Sequence, residues 1–184
     1  LRTLAGTAGL TFDQSQATGI ATFVGDEHAA LATLLNRASS IIAQRTRRGA
    51  ANWAVVSPAS LTVLQSATTS AFARTTEGSF EAPTNVKFAG TLNGTMRVYV
   101  DTYAGSDADV LIGYKGPQEV DAAAFYCPYI PLQSTGVVMD PNTGELITGF
   151  LSRYGYVQLN NSATSLGNAA DYLFRIAVKN LKFF

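Results

Sequence analysis

Ala124-Phe125-Tyr126-Cys127-Pro128-Tyr129-Ile130-Pro131-Leu132-Gln133 is an apolar, aromatic run interrupted twice by proline. Proline has no backbone donor and breaks helices, so residues 121–132 predict an edge or irregular strand. Upstream stands Gly113-Tyr114-Lys115-Gly116, and downstream stands Thr148-Gly149-Phe150-Leu151-Ser152-Arg153-Tyr154-Gly155-Tyr156-Val157. Pro141-Asn142-Thr143-Gly144 predicts a turn. Residues 146–159 alternate and predict a strand. Nothing in this block has the character of catalytic machinery; it reads as surface made to be buried.

Further upstream the period changes. Apolar residues recur at Leu31, Leu34, Leu35, Ala38, Ile41 and Ile42, one stripe of a helix of about six turns. Asp26 is its expected cap and Glu27 suits the positive end of the dipole. Arg45, Arg47 and Arg48 suit the negative end, with Gly49 as the C′ residue. Trp53 to Val56 predicts a short buried strand. Ser57-Pro58 predicts the start of a second helix, running to about Ala67 with Leu61, Val63 and Leu64 inward. Residues 1–24 and 68–82 read as extended or loop. From Val86 the period is two, and Asn93-Gly94 predicts a hairpin between the strand of Val86 and Phe88 and that of Met96, Val98 and Val100. Residues 104–109 read as a polar tip, 110–114 as a strand, 160–171 as a polar loop and 172–181 as a closing strand.

The 184 residues include 13 Lys plus Arg against 13 Asp plus Glu, with 14% charged residues. A neutral chain has no global electrostatic footprint for nucleic acid or an acidic membrane. Soluble domains average about 25% charge, so the deficit fits a surface covered by neighbouring subunits, or one rich in Ser, Thr, Asn and Gln. One cysteine excludes an intrachain disulfide framework and makes a reducing compartment the default. No apolar run approaches the roughly 20 residues of a membrane-spanning helix, and no secretory signal is legible. The start at Leu1 rather than Met is expected of a processed form, a truncation or the ordered part of a longer protein.

Candidate chemistry is sparse. His28, the single histidine, falls in the first turn of the long helix, where a capping or exposed role is expected before catalysis. Cys127 lies in apolar sequence without a cationic neighbour, so it is expected in the core rather than as a reactive thiolate. One Cys and one His do not make a closed zinc site. Asp107 and Asp109, with Asp101 nearby, are too few for a calcium loop and read as a solvated turn or the rim of a subunit contact. Gly113 to Gly116 lacks the spacing and ending of a phosphate loop. The sequons at Asn93 and Asn160 read as turn residues. Arg45, Arg47 and Arg48, with Arg37, are the one basic concentration; dipole compensation and intersubunit salt bridges are expected before contact with nucleic acid. No catalytic, cofactor-binding or metal-binding residue is assigned.

Taken in order, these islands resemble the C-terminal portion of the major capsid proteins of T4-like bacteriophages. The residues that carry the resemblance are Gln44 to Gly49, Ala51 to Pro58, Val110 to Gly116, Phe125 to Gln133, Arg153-Tyr154-Gly155 and Phe174 to Leu181, spread over residues 26–184. The resemblance implies an α+β, HK97-like capsid fold with a long spine helix at about 26–48. It implies peripheral-domain sequence at 1–50, an axial domain at 51–147 and a return to the peripheral domain at 148–184. The tip at 104–109 or the loop at 133–144 would face the capsomer centre. The sequence before Asp26 is too short for both the N-terminal arm and the extended loop usual in that fold. The implied function is structural: a virion shell subunit that self-assembles into hexameric capsomers of an icosahedral or prolate head. Its partners would be copies of itself, vertex and decoration proteins, and packaged double-stranded DNA through non-specific contact, with no membrane, cofactor or small-molecule substrate. A vertex (pentamer) subunit and an encapsulin-like shell subunit are the rivals of the same class; a monomeric β-rich binding module is the rival of another.

Overall fold

A computed structural model describes residues 5, 8–16, 24–67, 72–74, 86–105, 109–159 and 168–181. They form two compact units, residues 1–123 with 160–184 and residues 124–159.

The larger unit is a mixed sheet with two helices. Its strands are β1 (Leu10–Asp13), β2 (Trp53–Val56), β3 (Phe72–Arg74), β4 (Val86–Leu92), β5 (Met96–Asp101), β6 (Val110–Gly113) and β9 (Leu173–Lys179). They lie in the order β1-β9-β6-β2-β5-β4-β3. The β1–β9 and β2–β5 pairs are parallel and the rest antiparallel. Mixed pairing with two helices is an α+β architecture, as expected. The strand at 72–74 stands where a loop is expected.

Helix α1 (Val24–Thr46) buries Leu31, Leu35, Ala38 and Ile42, with Leu34 and Ile41 half-buried at the margins of the predicted stripe. It packs on β1, β6, β9 and on α2 (Pro58–Ser66). Alternate residues of the strands supply the opposing surface: Phe12, Ala54, Val56, Val98, Val100, Val110, Ile112, Phe174, Ile176 and Val178. In α2 the Ser57 hydroxyl accepts a hydrogen bond from the Ser60 N–H and Pro58 opens the helix, as predicted. Its buried side is Ser60, Val63 and Leu64, with Leu61 half-buried. Between β4 and β5, Asn93 and Gly94 both take positive φ, 53° and 70°. That is the pair of left-handed residues a primed turn needs.

Two terminal expectations for α1 are corrected. The helix starts two residues before Asp26, which therefore lies inside the first turn rather than capping it. The left-handed residue at the other end is Arg47, φ 51°, and not Gly49. Gly49 is required by packing instead: a Cβ there would lie 2.5 Å from the Tyr114 ring.

The smaller unit is a two-stranded antiparallel ribbon, β7 (Ala124–Met139) and β8 (Leu146–Gln158). Strand β7 has 16 residues and β8 has 13. Three register shifts, at Pro128/Ile130, Ile130/Gln133 and Ser134/Val137, each place one additional residue in β7. Bulges of this kind bend and twist a strand, and they accommodate the two prolines. The turn at 141–144 is present, with the Gly144 N–H donating to the Asp140 carbonyl at 2.9 Å and Gly144 at φ 71°. The expected loop at 133–144 is mostly strand, because β7 runs on to Met139.

Candidate functional site

The ribbon is the candidate site, and its geometry follows from the register. Directly paired residues share a face. Tyr126 opposes Tyr156, Pro128 opposes Tyr154, Ser134 opposes Phe150, Val137 opposes Thr148 and Met139 opposes Leu146. Since β8 carries none of the additional residues, alternation places Leu146, Phe150, Tyr154 and Tyr156 in one row. The Tyr126 and Tyr154 rings meet with centroids 5.5 Å apart. The other face carries Phe125, Cys127, Ile130, Leu151, Ile147, Val138 and Val157.

No residue from Ala124 to Leu159 is buried. Tyr129 is 79% exposed, Leu146 76%, Leu132 74% and Phe150 69%. A soluble surface rarely shows so much contiguous apolar area unless a partner covers it. An isolated two-stranded ribbon is also marginal in water, because neither face contributes a core. The chemistry the ribbon offers is therefore association: aromatic and aliphatic rows on both faces and two strand edges with no further strand paired to them in the sheet.

Gly113 to Gly116 has a structural role. A Cβ on Gly113 would lie 2.2 Å from the Trp53 indole, and one on Gly116 would lie 2.6 Å from Asp121. Tyr114 stacks on Tyr172, centroids 6.4 Å apart, and its hydroxyl donates to the Arg48 carbonyl at 3.3 Å. The Lys115 ammonium donates to the carbonyls of Gly116 and Gln118, 2.9 Å each. Arg48 pairs with the buried Asp121, and that hydrogen bond is the first cause holding its guanidinium above the ordinary range. Burial pushes the Tyr172 phenol above its ordinary 10.0 despite the nearby Arg48. This cluster ties the segment after β6 to the end of α1.

The arginines are thereby largely accounted for. Arg48 is paired, and Arg45 lies over the Phe174 ring at 5.7 Å. Arg37 and Arg47 are exposed. Both sharply assigned polar residues are corrected. His28 is buried rather than capping or exposed, with Nδ1 2.8 Å from the Ser66 hydroxyl. The partner is on α2, 38 residues away, and no local signal announces it. Cys127 is exposed rather than core, because both faces of β7 are open. Asp109 pairs with Arg175 within the chain, and the Asp101 carboxylate accepts the Tyr103 N–H at 3.0 Å. Residues 106–108 of the tip, Asp107 among them, and the Asn160 sequon lie outside the described residues. Asn93 is a turn residue whose amide donates to Asn36 at 2.6 Å. Among the described residues no three His, Cys, Asp or Glu converge on a metal position, and no helix is long and apolar enough to cross a membrane.

Comparison with known proteins bears on the ribbon and the body together. The family model described as major capsid protein Gp23 matches residues 1–178. The major capsid protein of Vibrio phage KVP40 is 34% identical over 198 residues, covering 96% of this chain and 38% of that protein. The major capsid protein of Enterobacteria phage T4 is 36% identical over 155 residues, covering 81% of this chain and 29% of that protein. That of Salmonella phage ViI is 47% identical over 51 residues, 28% of this chain and 11% of that protein. The chain thus spans about a third of the length of the first two.

Proposed function

We propose a function from one premise: this chain belongs to the major capsid protein Gp23 family. It is a structural protein, part of the shell subunit of a T4-like phage head, and it resides in the virion. It assembles with copies of itself into hexameric capsomers that tile an icosahedral or prolate shell around the genome, in an HK97-like arrangement with α1 as the spine helix. The division into residues 1–50, 51–147 and 148–184 then describes roles in the assembled shell, peripheral, axial and peripheral again. Vertex and decoration proteins contact the outside of that shell, and DNA meets its inside without sequence reading.

The observation that carries this reading is the β7–β8 ribbon, where an aromatic row lies open and no residue is buried. Covering that surface removes apolar area from water, which contributes about 25 cal/mol per Å². Symmetry repeats each such contact many times, so moderate interfaces sum to a stable container. Electron microscopy of the purified intact protein tests it. Closed shells or sheets with six-fold capsomers are expected; a monodisperse monomer at every concentration and salt would refute it.

A further inference from the structure

On the sheet face away from the helices, an open cleft of about 500 Å³ is lined by Asn52, Trp53, Thr95, Arg97, Tyr99 and Lys115. Its floor is built. Trp53 pairs with Arg97 on β5 and with Gly113 on β6, and the indole fills the space over the glycine. The Asn52 amide donates to the Lys115 carbonyl at 2.7 Å and its oxygen accepts the Lys115 N–H at 3.0 Å. The Arg97 N–H donates to the Asn52 carbonyl at 3.0 Å. The ion pairs among the described residues, Arg48–Asp121 and Arg175–Asp109, leave both Arg97 and Lys115 without a carboxylate. Two aromatic side chains and two cations suit an acidic segment flanked by apolar residues.

This chain carries such a segment in the turn between β7 and β8. Asp140 and Glu145 bracket Pro141 to Gly144, with exposed Met139 and Leu146 immediately outside. The Asp140 N–H donates to the Glu145 carbonyl at 2.8 Å, so the turn is preformed. Asp13, Asp109 and Asp121 are already engaged within the chain. We propose that the cleft of one copy receives the β7–β8 turn of a second copy, with Glu145 facing Arg97 and Lys115 and Leu146 against Trp53 and Tyr99. The proposal rests on the reading of the chain as a self-assembling shell subunit. A cleft that meets a turn, rather than another cleft, is a head-to-tail contact, the kind that closes into a ring when its rotation allows.

Charge reversal in the intact protein tests it, read as the fraction sedimenting with assembled particles. Glu145→Arg or Arg97→Glu alone is expected to lower that fraction about tenfold, since a like-charge contact replaces an attractive one. The two changes together are expected to restore it to within about twofold, and Glu119→Arg to leave it unchanged. Circular dichroism confirms that each variant is folded. A double variant no better than the singles, or a harmless single reversal, overturns the contact. In a Cys127→Ser background, a Thr95→Cys chain mixed with an Asn142→Cys chain is expected to give an intermolecular disulfide. Its absence, or an intrachain disulfide at high dilution in a chain carrying both cysteines, excludes the second copy as occupant. A wild-type protein that never leaves the monomer overturns the shell reading along with the contact. Assembled wild type with uncoupled reversals overturns the contact alone.

Discussion

Strands β5 and β8 carry the same kind of pattern and meet opposite fates. In β5, Met96, Val98 and Val100 are buried under the helices. In β8, Leu146, Phe150, Tyr154 and Tyr156 are exposed. Alternation says that a strand has two different faces; it does not say what covers either. In the larger unit a helix from the same chain provides the cover. In the ribbon no residue is buried, which is why the ribbon carries the functional reading.

Substitutions that separate burial from exposure break or sharpen this contrast. The largest effect is expected from Leu35→Asp, at a position with no exposure. It buries an unpaired charge among Leu31, Ala38 and Ile42, at a cost of about 4 kcal/mol or more, enough to unfold a marginal domain. Soluble, assembled particles of this variant would contradict the assignment of the core. Ile112→Ala comes next, losing about 2–5 kcal/mol through the cavity left between sheet and helix, read as a drop in denaturation midpoint. Gly113→Ala should cost about 1–3 kcal/mol by forcing the Trp53 indole to move. Unchanged stability would mean the indole does not pack as described.

A smaller effect is expected at alkaline pH. Burial, the first cause, raises the Tyr172 phenol above 10.0 in the folded chain. The unfolded phenol therefore loses its proton first. Its contribution to stability is complete below pH 10 and is lost as pH rises through the higher folded value. Tyr172→Phe should remove that component from the alkaline melting curve. An identical curve would dissociate the phenol from the effect. The smallest change in stability belongs to the ribbon: Phe150→Ser should shift denaturation by no more than about 0.5 kcal/mol. It should nonetheless weaken self-association, measured by sedimentation. A large loss of stability would show that the ribbon is covered within its own chain.

What could be read in advance was local. The stripe of α1, the Ser57-Pro58 helix start, the Asn93-Gly94 turn and the strands at Trp53 and Leu146 each rest on periodicity or on one residue's backbone preference. Placement is not local. His28 looks like a first-turn residue until α2 brings Ser66 to its ring. Gly49 looks like a helix terminator until Tyr114 arrives from 65 positions away and needs the space. Cys127 looks like a core residue because its neighbours are apolar, and apolar sequence is buried only when something lies against it.

By itself, the sequence determined the periods, the turns, the absence of a recognisable catalytic constellation and the ordered islands that point to the family. The tertiary structure decided which apolar faces are satisfied: α1 and α2 close one face of the sheet, while both faces of the ribbon stay open. The reason is physical. Burial is a property of two surfaces, and a linear pattern specifies only one of them.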